Sequence, residues 1–262
     1  MSEHINDWLA SPALTWVPLV GFTALFVAGL LVFVVRNAVR GRPHSARVGQ
    51  VGGSILLGEY FMEYGLWVFR PIARAAVKLE VFPYTLSWAS LVLQFLAAAA
   101  ISQGGFGPGG WLLMLGAACD SLDGSVARAR GLASDAGEVL DAVIDRWAEM
   151  AVFFGYAWYY RDFPAGFVAA LAACAGAVMV SYTRAKGEAM DVDAKIGLMQ
   201  RHERATYLVV ATVVSSLIEL GWPSPGKALH APVLAALALI AVFGNMTGAR
   251  RTAFIRRELR KR

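Results

Sequence analysis

The chain is short of charge. Asp, Glu, Lys and Arg together make up 16% of its 262 residues, against the roughly 25% of an average soluble domain. Hydrophobic residues make up 57%, more apolar surface than a water-soluble fold of this size can hide. There are only two cysteines, Cys119 and Cys174, both inside apolar stretches. They read as small buried hydrophobes, which excludes a disulfide framework. Internal repeats and low-complexity segments are also lacking. The first apolar run, Trp16 to Val35, follows a segment holding Glu3 and Asp7. It has no basic n-region, so it does not read as a cleaved signal peptide.

What is present points to an all-α polytopic membrane bundle, because helices satisfy their own backbone in lipid. Trp16–Val35 is long enough for a hydrocarbon core of about 30 Å. Six further spans are expected at about Tyr84–Ile101, Gly110–Ala129, Gly137–Tyr159, Pro164–Thr183, Thr206–Gly221 and Ala231–Gly248. Gly/Pro turn signals at Gly104–Gly110 and Trp222–Gly226 separate several of them. Between the first span and these six lies a segment, Gly58 to Glu80, of different character. Arg70, Arg74 and Lys78 recur every four residues, with Phe61, Leu66, Trp67 and Ile72 around them. That pattern fits an amphipathic helix on the membrane surface. Residues 1–57 thus form an extra span and a basic linker, and residues 58–262 the main unit.

The net charge is +5, and its basic residues sit at the ends of apolar runs. This is a topology signal and not a nucleic-acid stripe. Arg36, Arg40, Arg42 and Arg47 follow the first span. Arg128, Arg130, the Arg184–Arg204 loop and the Arg250–Arg262 tail fall on the same side if the N-terminus is outside. The expected topology is N-out and C-in, in a bacterial or archaeal plasma membrane.

The chemistry concentrates in CDSLDGSVARARGLASDAGEVLDAVIDR. Asp120 and Asp123 are three apart on one expected helix, and Asp141 and Asp145 four apart on the next, so each pair shares a helix face. A tight connection near Gly131 makes the two helices antiparallel neighbours whose acidic faces converge. An acid at the bilayer centre costs roughly 2.5–3.5 kcal/mol on insertion scales, less near the interface. Four converging acids add mutual repulsion, which a divalent cation relieves. All-oxygen ligation suits Mg²⁺ or Mn²⁺, whereas zinc would want His or Cys, and no His lies nearby. Gly124 and Ala127 lie on the acidic side of the first helix, and Gly137 one turn before Asp141. Their small side chains leave room for a ligand, and Arg128 adds a fork of donors suited to phosphate. The bland alternative, acids that merely flank helix ends, would suit any one of these residues alone.

Asp120, Asp123, Gly124, Ala127, Arg128, Gly137, Asp141 and Asp145 reproduce the pattern D-x-x-D-G-x-x-A-R, eight residues, G-x-x-x-D-x-x-x-D. This resembles, with every spacing intact, the signature of the CDP-alcohol phosphotransferases. The resemblance covers about residues 58–262. It implies a six-span bundle preceded by a surface helix, opening to the cytoplasm. It implies that Asp120, Asp123 and Asp141 hold metal, as two Mg²⁺ or Mn²⁺ ions, with Asp145 beside them as general base. It also implies that Asp120, Gly124, Ala127, Arg128 and Gly137 surround the CDP group of the donor. The implied reaction joins an acceptor alcohol to the phosphate of a CDP-lipid such as CDP-diacylglycerol, releasing CMP.

Two later segments bear on the acceptor. SYTRAKGE runs from Ser181 to Glu188, and Arg201-His202-Glu203-Arg204 opens the next span. Together with Asp145-Arg146 they resemble the phosphatidylinositol phosphate synthases and their archaeal counterparts. That resemblance implies an inositol phosphate or similar polyol phosphate acceptor, held by Arg184, Arg204 and, from NMTGARR, Arg251. Gly187 stands where that group usually has Ala, and His202 where it often has Pro. Glycerol 3-phosphate is the alternative acceptor, and CDP-inositol or a CDP-amino alcohol an alternative donor. A cation transporter with pore-lining acids is the alternative from another class. Membrane lipids are expected around the chain and a homodimer is left open. Plain positive-inside flanking is the alternative reading of the arginines.

Overall fold

The structure is a computed structural model that describes residues 12–40, 58–194 and 196–262. The described residues form eight helices and no strand: α1 (Pro12–Arg40), α2 (Gly58–Lys78), α3 (Pro83–Ser102), α4 (Phe106–Ala129), α5 (Asp135–Tyr159), α6 (Pro164–Glu188), α7 (Arg201–Gly221) and α8 (Ala231–Leu259). The expected all-α bundle is present. By length and composition, α3, α6, α7 and α8 are each apolar enough to cross a membrane. The acids in α4 and α5 lower the apolar content of those two. Arg42 and Arg47 lie outside the described residues, as do the side chains of Phe61 and Leu66.

Helices α3 to α8 close into a ring. Around it, α3 packs on α4, α4 on α7, α7 on α8, α8 on α6, α6 on α5, and α5 on α3. Close backbone approach makes this ring possible, as is usual where lipid supplies no hydrophobic drive between helices. A Cβ on Gly155 of α5 would lie 2.6 Å from the carbonyl oxygen of Ala98 in α3. One on Gly176 of α6 would lie 3.2 Å from the backbone of Gly244 in α8. The Ser90 hydroxyl of α3 donates to the Gly116 carbonyl of α4 at 2.9 Å.

Two expectations need correction. The helices α4 and α5, joined by a short turn, do not pack along their length. Instead α3 packs against both, because its small residues let it approach each closely. The two acidic faces therefore look at each other across a gap. Second, the glycines from Gly107 to Gly110 are not a turn but the first turns of α4, with the break at Gln103–Gly105. Gly109 and Gly110 give way to Ile101 and Val213, at 2.6 and 2.8 Å from where a Cβ would stand. Pro108 is tolerated in a first turn, where its missing N–H is an orphan in any case.

The other boundaries move outward. Helix α7 starts at Arg201 and not Thr206, fixed by a capping box in which the Gln200 N–H donates to Glu203 Oε2 at 2.9 Å. Helix α8 continues past Gly248 to Leu259, carrying Arg251 with it. Helix α2 exposes Arg70, Arg74 and Lys78 as one stripe. It buries Tyr64 edge-on against Phe33 of α1, ring centres 5.5 Å apart. Cys119 and Cys174 are both free.

Candidate active site

Ser134 caps the start of α5, accepting a hydrogen bond from the Gly137 N–H at 3.2 Å, with Asp135 and Glu138 in the first turn. That cap sets the phase of the helix, so Gly137, Asp141 and Asp145 face α4. One carboxylate oxygen each from Asp120, Asp141 and Asp145 lie within 4.8 Å of one another. Asp145 is 5% exposed, and the other two are half-buried.

Asp123 stands apart from this trio. It is buried, and its Oδ2 accepts a hydrogen bond from Ser87 Oγ of α3 at 2.7 Å. The Gly124 N–H reaches Oδ1 at 2.5 Å. Of the four acids expected around metal, three gather and the fourth is held by Ser87. The serine was missed in the sequence because a hydroxyl 36 residues away carries no spacing signal.

The gap between α4 and α5 forms a cleft of about 720 Å³. That lies in the range of sites for small molecules and cofactors. Asp123, Gly124, Ala127, Arg128, Gly137 and Asp141 line it, with Phe82, Tyr84 and Ser87 on the facing wall. Every expected donor-binding residue except Asp120 therefore borders one cleft. Both glycines keep it open. A Cβ on Gly124 would sit 3.2 Å from the Arg128 Nη1, and one on Gly137 3.5 Å from the Tyr84 hydroxyl. The wall at Phe82 is held by Arg130, which donates to the carbonyls of Glu80 and Val81 at 2.9 Å each and lies over the Phe82 ring.

At the α7 side of the acids, Arg201 reaches in. Its Nη2 donates to Asp120 Oδ1 at 2.8 Å and lies 2.5 Å from Asp145 Oδ1. The second contact is an ion pair without an aligned hydrogen bond, so the buried Asp145 Oδ1 is left without a directed donor. Three converging carboxylates, a buried orphan oxygen and a cation already drawn among them fit a divalent metal with oxygen ligands.

The three arginines assigned to an acceptor phosphate lie in the last turn of α6, the first turn of α7 and two turns before the end of α8. Arg184 and Arg204 are close enough for their charges to act on Arg251. Each already has protein partners. Arg204 is fully buried, forked onto Glu149 at 2.7 and 3.0 Å, and donates to the Met199 carbonyl at 2.7 Å. Arg251, 4% exposed, donates to the carbonyls of Ile196 and Val180 at 2.7 Å each. Arg184 is exposed and pairs with Glu188 at 3.0 Å. Thr247 adds a bond to the Leu198 carbonyl at 2.8 Å. Two of the three arginines thus pin the segment between α6 and α7, where Gly197 takes φ +104°. Arg146 donates to Ser181 and lies 3.7 Å from Glu149, which joins α5 to α6 and α7. Glu149 was missed in the sequence because its role depends entirely on which arginine meets it.

Comparison with known proteins bears directly on this site. The chain is 31% identical over 203 residues to the phosphatidylinositol phosphate synthase of Cutibacterium acnes, covering 76% of this chain and 97% of that protein. It is 33% identical over 190 residues to the synthase of the same name from Mycobacteroides abscessus, covering 70% of this chain and 84% of that one. Its fold is similar to the Mycobacterium tuberculosis phosphatidylinositol phosphate synthase crystallised with CDP-DAG bound, with TM-score 0.61, 26% identity, and coverage of 71% of this chain and 92% of that one. A second structure of that enzyme is in complex with manganese and citrate, also at TM-score 0.61 and 26% identity, over 71% of this chain and 87% of that one. The model of the CDP-alcohol phosphatidyltransferase family matches residues 80–246, which include all eight signature positions. The chain belongs to the CDP-alcohol phosphatidyltransferase family, as an integral membrane transferase.

Proposed function

We propose that this enzyme transfers the phosphatidyl group of CDP-diacylglycerol to a polyol phosphate, inositol phosphate first among them, releasing CMP. The observation that carries this reading is the meeting of Asp120, Asp141 and Asp145 beside a cleft that also holds Arg128, Gly124 and Gly137. Similarity to the named synthases supports the donor and the acceptor. Membership in a transferase family removes the pore alternative, and glycerol 3-phosphate stays as the competing acceptor.

In this reading the donor's pyrophosphate lies in the cleft against the Arg128 guanidinium, where the absent side chains of Gly124 and Gly137 admit it. Asp120, Asp123, Asp141 and Asp145 would hold the metal, two Mg²⁺ or Mn²⁺ ions. Bound there, divalent metal neutralises negative charge developing on the phosphate oxygens. Asp145 takes the proton of the acceptor hydroxyl. The freed oxygen forms a bond to the phosphorus distal to cytidine, and the bond from that phosphorus to the bridging oxygen breaks. CMP leaves with the electron pair. Arg184, the exposed one of the three arginines, meets the phosphate of the acceptor, and Arg204 and Arg251 add their charge from behind while holding the α6–α7 segment. The unit spans residues 58–262, residues 1–57 are an addition to it, and the site faces the cytoplasm in an N-out, C-in chain of seven spans. The clustering of Arg128, Arg130 and the basic tail near the site end of the helices supports that orientation.

The test is CMP release from CDP-diacylglycerol by purified protein with inositol phosphate, glycerol 3-phosphate and free inositol in parallel. Inositol phosphate should support the largest kcat/KM, and excess chelator should abolish release until Mg²⁺ or Mn²⁺ is returned. Preference for an unphosphorylated alcohol would overturn the acceptor assignment, and full activity in chelator the metal assignment.

A further inference from the structure

Arg201 is the cation that bridges two members of the acidic trio, meeting Asp120 and Asp145 through one nitrogen, while Arg146 lies 3.8 Å from the other oxygen of Asp145. Arg201 comes from the first turn of α7, on the opposite side of the trio from the donor cleft. Its Nη2 stands between Asp120 of α4, which the resemblance assigns to metal, and Asp145 of α5, which it places beside the metal as the base. The fork satisfies charge better than geometry. Asp120 Oδ1 receives a hydrogen bond at 2.8 Å, whereas Asp145 Oδ1 receives only proximity at 2.5 Å and no aligned donor. A guanidinium fixes its hydrogens in one plane, and here the Asp120 oxygen meets one of them while the Asp145 oxygen does not. A metal ion has no such restriction, because oxygen ligands approach it from any side within its coordination shell.

The surroundings hold Arg201 where it is. The Gln200–Glu203 capping box fixes the start of α7. Arg204, one turn on, is locked by Glu149 and the Met199 carbonyl. The Arg201 backbone is therefore anchored while its side chain stays 35% exposed. Without such a cation, Asp120, Asp141 and Asp145 would repel one another at the gap between α4 and α5, two helices that do not otherwise pack along their length.

We propose that Arg201 is a stand-in cation for the acidic trio. It holds Asp120 and Asp145 together before metal binds, and it competes with metal for the same oxygens. Its role is that of a positioning residue: it keeps the site assembled in the metal-free protein at the cost of weaker metal affinity. This rests on the reading of the trio as a metal site.

The experiment uses the full chain in detergent, stripped of metal, with Mn²⁺ as the probe. Free Mn²⁺ is followed by electron paramagnetic resonance, and unfolding is followed in chelator and in saturating Mn²⁺. Arg201→Gln should bind Mn²⁺ about tenfold more tightly than the parent, a ratio worth about 1.4 kcal/mol. Its metal-free Tm should fall, so that Mn²⁺ raises its Tm by more than it raises the parent's. Arg201→Lys keeps the charge as a single point without the fork. It should fall between the two, and it carries the affinity test if the Gln variant does not fold without metal. Mn²⁺ affinity that is unchanged or weaker in both variants would overturn the proposal while leaving the metal site standing. A parent protein that takes up no Mn²⁺ would overturn the metal reading itself, and the proposal with it.

Discussion

The two regions of this site, proposed above as its donor side and its acceptor side, are built differently. On the donor side, α4 and α5 stand apart over an open cleft, and the residues that matter project into it from helix faces. Among the partners of the acids there are Ser87 on Asp123, Arg201 on Asp120 and Asp145, and Arg146 at 3.8 Å from Asp145. On the acceptor side, Arg204 and Arg251 are buried and bound by backbone carbonyls and Glu149, and only Arg184 stands in the open. The first region is shaped to receive something. The second has most of its charge committed to holding the α6–α7 segment against the bundle. Buried charges demand such partners, since leaving one unpaired costs far more than the pair contributes. A mutation should therefore act on chemistry in the first region and on folding in much of the second.

Four variants test that contrast. Asp145→Asn should have the largest effect, a loss of about 10²- to 10⁴-fold in kcat, the usual contribution of a positioned base. Its Tm should stay near that of the parent, and a variant that unfolds instead would erase the distinction. Glu149→Gln should do the reverse. It leaves the fully buried Arg204 without its counter-charge, so stability should drop by about 3–5 kcal/mol, seen as early thermal unfolding in detergent. Arg184→Gln comes third. It is exposed and costs little to replace, so stability should hold. If it meets the acceptor phosphate through a charge-assisted bond worth about 1.5–3 kcal/mol, acceptor KM should rise about ten- to a hundredfold, with donor KM nearly unchanged. An unchanged acceptor KM would move Arg184 to ordinary surface charge. Ser87→Ala should have the smallest effect, about a tenfold loss of metal affinity or activity, as for other groups that orient a ligand. No loss would show that Asp123 keeps its orientation without help.

The same contrast explains how much could be read without coordinates. The donor side was largely legible. Asp120 and Asp123, and Asp141 and Asp145, share helix faces by spacing alone, and acids at the ends of apolar helices call for a cation. The cleft itself was not legible, because the short turn at Gly131 suggested packed neighbours and the wedge of α3 has no local signal. The acceptor side was legible only as a list of arginines. That Arg204 is spent on Glu149, and that Arg201 reaches across from α7 to the acids, depends on which residues α5 and α7 bring face to face.

Sequence by itself determined the membrane-helical class, the family and the positions of the carboxylates. The class follows from apolar run length and the shared carboxylate faces from the 3.6-residue period of a helix, both of which are local, while the family rests on the resemblance that the spaced signature carries. Only the tertiary structure decided that three acids gather while Asp123 turns to Ser87, that α4 and α5 stand apart, and which arginines are occupied. Those depend on long-range partners, and a buried carboxylate or guanidinium binds whichever opposite charge or carbonyl the packing delivers to it.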